Sequence, residues 1–349
     1  VTISDTFSIT VANTNDAPTY IALSATTIDE NSAGAVVGTL TTTDVDVGDT
    51  HTYTLSGTDA ASFEVVNGQL KLKDSVSADY ETQNTYSITI TAADDASHEV
   101  TLTYSLQVTD VNEKPTAIAL SATAIDENAA GAVVGTLTTT DVDANDSHEY
   151  TLSGTDASLF EITASGVLKL KDSVSANYEN QNSYSVTVTA TDSGGLTKEE
   201  TFTVSVNNLN DDPTLANALA DQSINEDSAF SFTVPADTFN DEDGDTLTYT
   251  ATLSNGSALP SWLSFDAATQ TFSGTPLNGD VGSITVKVTA TDAAGVAISD
   301  TFAIAVANTN DDPTAIALSA TAINENAAGA VVGTLSTTDV DVGDSHDYT

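Results

Sequence analysis

The sequence has no cysteine, no methionine and no arginine, and only seven lysines among its 349 residues. The lack of cysteine excludes disulfide bonds, thiol catalysis and cysteine-ligated zinc sites. With 51 acidic residues the formal net charge is −44, which excludes nucleic acid as a partner because such a surface repels phosphate. No apolar run of about 18 residues, the length a membrane helix needs, is present. The partners of this surface are expected to be cations.

Hydrophobic residues make up 40% of the chain and alternate with polar ones, which predicts a folded chain. Val100, Leu102, Leu106 and Val108 alternate with threonine, serine and glutamine, a pattern typical of a half-buried strand. No run with a helical period is present. The expected fold is all-β, with roughly seven short strands per repeat in a Greek-key sandwich of immunoglobulin type.

Three short motifs recur in one register. Ile-Asp-Glu-Asn at residues 28–31 and 125–128 returns, slightly changed, at 224–227 and 323–326, a period of 97 to 99 residues. Asp-x-Asp recurs with nearly the same period and begins at residues 44, 141, 241 and 339. Acidic segments that end in proline separate the repeats, and proline keeps such a segment extended. We name them the N-terminal, first, second and third linkers; they are residues 13–18, 109–115, 208–213 and 308–313.

This register predicts three whole domains between two partial ones. Residues 1–17 repeat residues 296–312 almost letter for letter, so they are expected to be the last strand of a truncated domain. Domains one, two and three are predicted at residues 18–113, 114–211 and 212–311, and residues 312–349 would start a truncated fourth. The chain is thus expected to be an internal piece of a longer protein.

A sandwich of this type has its loops at two opposite ends, so these carboxylate, amide and carbonyl oxygens can gather where one domain meets the next. Ca²⁺ takes many oxygen ligands, whereas zinc prefers histidine or cysteine. The motifs Glu30, Asp44-x-Asp46, Asp79-x-Glu81, Asp94 and the linkers resemble the cadherin repeat. The resemblance implies calcium ions between consecutive domains, and an elongated rod.

The calcium ligands that the resemblance implies are the following. At the N-terminal linker they are Asn13, Asn15, Asp16, Asp44, Asp46 and Asp94. At the first they are Glu30, Asp79, Glu81, Asp110, Asn112, Glu113, Asp141, Asp143 and Asp192. At the second they are Glu127, Glu179, Asn208, Asn210, Asp211, Asp241, Asp243 and Asp292, and at the third Glu226, Asn308, Asn310, Asp311, Asp339 and Asp341.

Domain three departs from this pattern. Residues 277–279 stand where the other domains have Asp-x-Glu, with Asp280 one residue on, and residues 259–265 and 272–276 resemble the dystroglycan-type cadherin-like domain. Fewer carboxylates predict weaker calcium binding at the third linker, with Asp280 and Asp312 as residues that could replace the missing ligands.

Other interpretations have less support in the sequence. Asp241-Glu-Asp-Gly-Asp begins like an EF-hand, but its twelfth position is Thr252. His51, His148 and His346 recur before a strand, typical of a polar strand edge, and Trp262 lies in an apolar stretch typical of a core. Ordinary solvated loops remain the alternative for the acidic residues. No catalytic motif is present, and paired carboxylates that repeat in successive domains argue against an enzyme.

The sequence therefore predicts the calcium-binding repeat region of a large adhesin. It is expected outside the cell, on a surface, secreted or anchored to an outer membrane, and the absence of arginine, cysteine and methionine favours a bacterial source. Expected partners are calcium, neighbouring repeats of the chain, and a cell-surface protein, a glycan or a second copy. The alternative is a passive spacer or binding module in a secreted multidomain enzyme.

Overall fold

The computed structural model describes residues 1–326, 328–341 and 343–349. The chain forms two compact units, residues 1–176 with 181–207 and residues 177–180 with 208–349. Within the described residues the only helices are three short 3₁₀ turns, and none is long and apolar enough to cross a membrane. These turns are Ala60–Ser62, Ala157–Leu159 and Asn278–Asp280.

Domain one is a sandwich of two four-stranded sheets. Its strands are β1 (Tyr20–Leu23), β2 (Thr27–Asp29), β3 (Val36–Thr43), β4 (Thr52–Ser56), β5 (Phe63–Val66), β6 (Gln69–Leu72), β7 (Thr85–Ala93) and β8 (Glu99–Thr109). The sheet orders are β1-β3-β6-β5 and β2-β8-β7-β4. Strand β2 runs parallel to β8, and the other pairs are antiparallel. The N-terminal segment of the domain therefore contributes an edge strand to each sheet, β1 to one and β2 to the other.

Domain two repeats this topology. Its strands are β9 (Ala117–Leu120), β10 (Ala124–Asp126), β11 (Val133–Thr140), β12 (Glu149–Ser153), β13 (Phe160–Ile162), β14 (Val167–Leu170), β15 (Ser183–Thr191) and β16 (Thr197–Asn207). The sheet orders are β13-β14-β11-β9 and β10-β16-β15-β12, and β10 runs parallel to β16. The repeated sequence thus gives the same strand pairing twice.

Domain three keeps one of these sheets and shortens the other. Its strands are β17 (Thr214–Leu215), β18 (Gln222–Asn225), β19 (Phe230–Thr233), β20 (Phe239–Asn240), β21 (Thr248–Leu253), β22 (Leu263–Asp266), β23 (Thr271–Gly274), β24 (Gly282–Thr291) and β25 (Ala297–Ala307). The sheet β18-β25-β24-β21 corresponds to β2-β8-β7-β4, whereas the opposite layer is split into β19-β23-β22 and β17-β20.

The cores follow from the predicted alternation. Ile88 and Ile90 on β7 and Leu106 on the adjacent strand β8 are fully buried in domain one, and Val186 and Val188 are fully buried in domain two. In domain three Phe272 and Phe302 pack edge to face, with ring centroids 5.6 Å apart, and Trp262 packs against Phe230. The polar residues between these positions face solvent. Trp262, predicted to be a core residue, is half-buried and packs against this core.

A repeated glycine allows β3 to pass close to the crossing between β1 and β2. A Cβ atom on Gly38 would lie 2.7 Å from Ser24 Oγ and 2.9 Å from Ala25 N, and the pairing of β3 with β6 shifts between Val36 and Gly38. Gly135 has the same surroundings in β11. Any larger residue there would have to displace backbone atoms.

The strand predicted in residues 1–17 is not formed in the structure. Residues 1–19 have no assigned strand, and all of them except Pro18 are exposed. The physical reason is the lack of a partner: the matching segment of domain three, β25, is held between β18 and β24. At the other end of the chain, β26 (Ala315–Leu318) and β27 (Leu335–Thr338) form an exposed two-stranded sheet. The predicted domain boundaries themselves stay predictions.

Candidate metal centre

Glu30 is the buried centre of the site at the first linker. It follows β2, its side chain is only 3% exposed, and its two carboxylate oxygens accept different backbone hydrogen bonds. Tyr80 N–H donates to Oε2 at 2.7 Å, and Val111 N–H donates to Oε1 at 2.8 Å. Glu30 therefore ties three segments together: the end of β2, the loop before β7, and the linker.

Further carboxylates of domain one surround Glu30. One oxygen each from Glu30, Glu81 and Asp110 lie within 4.8 Å of one another. Glu81, Glu113 and Asp143 form a second such group, which includes a residue of domain two. Asp79 is exposed and accepts a hydrogen bond from Thr82 N–H at 2.8 Å. Asp79 also lines a cavity of 370 Å³ together with Glu30 and Glu81. The structure thus brings the acidic residues of the two domains together.

This crowding changes the protonation of the linker. Burial, and after it the charges of Glu30 and Asp110, raise the pKa of Glu81. Burial raises the pKa of Glu113 to about 7; the Asn31 hydrogen bond opposes this shift, and the charge of Glu30 adds to it. Asp110 has its pKa raised in the same direction, first by burial and then by Asp143 and Glu30. Burial and the neighbouring negative charges thus favour proton uptake at these groups.

Domain two receives the linker with its own acidic loop. Glu113 N–H donates to Asp143 Oδ2 at 2.8 Å, and Asn112 Nδ2 donates to Asp192 Oδ2 at 3.0 Å. Asp143 N–H in turn donates to Asp141 Oδ1 at 3.3 Å. The resemblance implied Asn112, Asp141, Asp143 and Asp192 as ligands, and these residues lie in direct contact with one another or with the linker.

The N-terminal linker repeats these contacts. Asn13 Nδ2 and Asp16 N–H each donate to Asp46 at 2.6 Å, and Asn15 Nδ2 donates to Asp94 Oδ2 at 2.8 Å. One oxygen each of Asp44, Asp49 and Asp94 lie within 4.8 Å of one another. The sequence motifs omitted Asp49, although an aspartate recurs in the same place at Asp146.

The second linker makes the equivalent contacts to domain three. Asn210 Nδ2 donates to Asp292 Oδ2 at 2.9 Å, and Asp211 N–H donates to Asp243 Oδ2 at 2.6 Å. Asp241 accepts a hydrogen bond from Asp245 N–H at 3.3 Å. Asn208 and Glu179 are exposed residues of the same compact unit, whereas Glu127 is buried in the other unit, where its N–H donates to Asn207 O at 3.3 Å. Strands flank residues 241–245, so the EF-hand interpretation is wrong.

The third linker joins domain three to the last segment of the chain. Thr309 N–H donates to Glu226 Oε1 at 3.0 Å, and Asn308 Nδ2 donates to Asp341 Oδ1 at 2.8 Å. Asp311 N–H donates to the other oxygen of Asp341, and Asp341 N–H donates to Asp339 Oδ1 at 3.0 Å. The side chain of Asn310 donates to Asp311 O at 3.0 Å. Two contacts of the first linker are therefore repeated here, because the linker backbone donates to the buried glutamate and to the second aspartate of Asp-x-Asp.

Sequence reasoning missed two kinds of residue. Asn31 donates a side-chain hydrogen bond to Glu113, across 82 positions of sequence. His51, His148 and His346 each contact the first aspartate of an Asp-x-Asp motif, at distances of 3.1, 2.9 and 2.7 Å. The constant spacing of seven residues between that aspartate and the histidine is the signal that could have indicated this contact.

Unsatisfied oxygens test whether a metal fits these clusters. Buried oxygens of Glu113, Glu226 and Asp241 accept no hydrogen bond from the described part of the chain. A buried carboxylate oxygen without a donor is costly unless a cation takes the donor's place. The surrounding donors are carboxylate, amide and carbonyl oxygens, as Ca²⁺ requires. The residues present therefore fit calcium, which would supply positive charge to the linker.

Comparisons with known proteins support the fold. Residues 121–207 match the family model described as Cadherin domain, and residues 212–307 match the one described as Putative Ig domain. The structure of Protocadherin Gamma B2 extracellular cadherin domains 1–5 superposes with a TM-score of 0.63 at 19% identity, covering 86% of this chain and 62% of that one. The all-β prediction of tandem cadherin-like sandwiches is confirmed.

Two further likenesses concern single proteins. Human (Homo sapiens) protocadherin gamma-A10 is 30% identical in an alignment of 229 residues, with coverage of 59% of this chain and 24% of that protein, so the chain spans about a quarter of this relative's length. The protocadherin gammaB7 EC3-6 cis-dimer structure has a TM-score of 0.61 at 19% identity, covering 94% of this chain and 85% of that one. Such cadherin relatives are adhesion proteins rather than enzymes, which confirms the prediction that this chain is not an enzyme.

Proposed function

We propose that the chain is the calcium-binding repeat region of an extracellular adhesin, in which calcium at the linkers stiffens a rod of cadherin-like domains. The single observation that carries the proposal is the pair of carboxylate groups at the first linker, around Glu30 and Glu113. Without a cation these groups repel one another, and binding of Ca²⁺ removes that repulsion. The linker would then hold its two domains in one orientation.

The residues that would hold calcium at the first linker have distinct roles. Glu30, Glu81 and Asp110 would bind from domain one, and Asp143 from domain two. Glu81 belongs to both groups, and Glu113 brings its buried Oε2 to the second. The Asn112 side chain fixes the linker against Asp192. Because ligands come from both domains, calcium binding and domain orientation are coupled.

The proposal extends to place and partners. The relatives of similar fold include structures of extracellular cadherin domains, and one of them is a cis-dimer. These support a location outside the cell and contacts between copies lying side by side. A large surface adhesin of bacterial source rests on composition alone. A passive spacer in a secreted enzyme is the second candidate, favoured if the linkers bind no calcium.

Calcium titration tests the proposal directly. We expect the first linker to bind calcium with a dissociation constant of about 10⁻⁴ to 10⁻³ M, the range of extracellular calcium modules. Glu81→Gln and Asp143→Asn should each weaken it because water must replace a charged ligand, while Glu99→Gln should not. Glu99 is the matched control because it is exposed and belongs to neither group. Isothermal titration calorimetry measures the affinity.

Small-angle scattering checks the mechanical part of the proposal. Addition of calcium should narrow the distribution of interdomain distances and lengthen the chain, and chelation should reverse both effects. If the maximum dimension is the same with calcium and with chelator, the rod hypothesis is wrong. If the three variants and the wild type bind calcium equally, the acidic residues are ordinary solvated loop residues.

A further inference from the structure

The third linker lacks the Asp-x-Glu carboxylates that domain one supplies through Asp79 and Glu81. Asn278 stands in that region, and its side chain donates toward Asp341 at 3.4 Å. Asp280, which the sequence offered as a replacement, accepts a hydrogen bond from Leu277 N–H at 2.9 Å within its own turn. The residues in place of Asp-x-Glu therefore present the Asn278 amide to the linker. The Asp280 carboxylate is instead hydrogen-bonded within its own turn.

A different position carries an extra carboxylate in domain three. The residue after the glutamate of this motif is asparagine in three repeats, at Asn31, Asn128 and Asn326, and aspartate only at Asp227. All four have a positive φ, between 58° and 62°. Asn31 N–H donates to Ala78 O and Asp227 N–H to Pro276 O, at 3.0 and 2.8 Å. The backbone is the same, so only the side chain differs.

The side chain at this position reaches the linker. In domain one the Asn31 amide donates to the Glu113 carboxylate, which lies two residues before the linker proline. Asp311 holds that place in the third linker. Asp311 N–H donates to Asp341 Oδ2 as Glu113 N–H donates to Asp143 Oδ2, so the two linkers hold these residues in the same way. A donor and acceptor pair in the first linker has thus become two facing carboxylates in the third.

The buried carboxylate of Glu226 indicates that a cation belongs between Asp227 and Asp311. Glu226 is only 1% exposed, and although Oε1 accepts Thr309 N–H, its buried Oε2 accepts no hydrogen bond from any residue that the structure describes. Because Thr309 lies two residues before Asp311, this hydrogen bond places Glu226 beside the third linker. A buried carboxylate oxygen without a donor, next to two more carboxylates, is stabilised by a bound cation.

We propose that Asp227 is a calcium ligand of the third linker, where beside Glu226 and Asp311 it replaces the carboxylates lost with Asp-x-Glu. This assignment rests on the proposed function, since it presumes that the linkers bind calcium. In domain three the additional negative charge therefore lies in the turn after β18, whereas in domain one it lies in the loop before β7, the counterpart of β24. The third linker then keeps an affinity that its missing Asp-x-Glu motif alone would not predict.

Hydrogen–deuterium exchange on the full chain can test this assignment, because it resolves the linkers in one sample. Asp227→Asn removes the charge and keeps a residue type that three other repeats hold at the same φ. We expect the calcium concentration that half-protects residues 308–311 to rise on the order of tenfold in this variant, since ligand charge tunes affinity. Protection of residues 109–113, at the first linker, should not change.

Two controls make the result specific. Asp237→Asn removes an exposed carboxylate of domain three that lies outside the linker motifs, and Asp280→Asn tests the residue that caps its own turn. Both should leave the midpoint at residues 308–311 unchanged. The assignment is overturned if Asp227→Asn leaves that midpoint unchanged while the first linker responds to calcium, or if Asp280→Asn alone raises it. If no linker of the wild type responds, the proposed function itself fails.

Discussion

Replacement of Glu30 by alanine is expected to destabilise domain one both with and without calcium. The carboxylate accepts two backbone hydrogen bonds, from Tyr80 and Val111, and hydrogen bonds to charged groups contribute about 1.5 kcal/mol or more each. Their loss should cost about 3 kcal/mol and lower the melting temperature by more than about 10 °C for a domain of this size. Thermal unfolding in chelator measures this calcium-independent part.

The same substitution should also remove much of the stabilisation by calcium. A ligand that binds only the folded state adds about 1.4 kcal/mol per site at ten times its dissociation constant. The gain in melting temperature between chelator and millimolar calcium should therefore be smaller in Glu30→Ala than in the wild type.

Glu99→Gln provides the control for the Glu30 substitution, because its exposed side chain should change neither quantity. If Glu30→Ala melts at the wild-type temperature in chelator, the hydrogen bonds of Glu30 to Tyr80 and Val111 do not stabilise domain one. An unchanged calcium gain would show that it is not a ligand.

The fold could be predicted from the sequence because burial on a strand has a period of two. The residues of β8 that alternate in sequence, from Val100 to Val108, turn inward, and the threonines between them turn outward. What the period cannot give is the partner of each strand. Residues 1–17 have the same alternation and form no strand, since no neighbouring strand is there to pair with them. The edge strands β1 and β2 likewise depend on pairing that no local pattern encodes.

The candidate site was predictable where a motif repeats and unpredictable where a repeat changes. The resemblance grouped Glu30, Glu81 and Asp110, which are far apart in sequence, and in the structure one oxygen of each lies within 4.8 Å of the others. It could not assign a role to Asn31, because asparagine at a positive φ reads as a backbone requirement until its side chain is seen to contact Glu113. For the same reason the sequence alone assigns no role to the change from asparagine to Asp227.

In the absence of calcium the chain should lose stability as the pH rises from about 4.5 to about 7. The group responsible is Glu113, whose pKa in the folded chain is raised from 4.5 to about 7, by burial first. Within this window the folded state keeps a proton that the unfolded state has released, so the free energy of unfolding falls with rising pH. Above this window the group is ionised in both states, and its contribution stops changing.

The aspartates with lowered pKa do not mask this effect. Asp94, Asp146 and Asp292 are examples whose pKa lies below the ordinary value of 3.8, so their contribution changes only at more acidic pH. Asp110 and Glu81 have raised pKa values and act in the same direction as Glu113. The difference between wild type and Glu113→Gln isolates Glu113, since glutamine keeps an oxygen that can accept the Asn31 hydrogen bond and cannot ionise.

Urea unfolding in calcium-free buffer at several pH values between 4 and 8 measures this slope. The wild type should be more stable at pH 5 than at pH 7, and Glu113→Gln should show a clearly flatter dependence. Saturating calcium should reverse the trend for the wild type, because the metal binds the ionised carboxylate and its binding strengthens as protons leave. Equal pH dependence in the two proteins without calcium would mean that Glu113 is ionised in the folded chain throughout this range. The crowded first linker would then tolerate its negative charge without a proton or a metal ion.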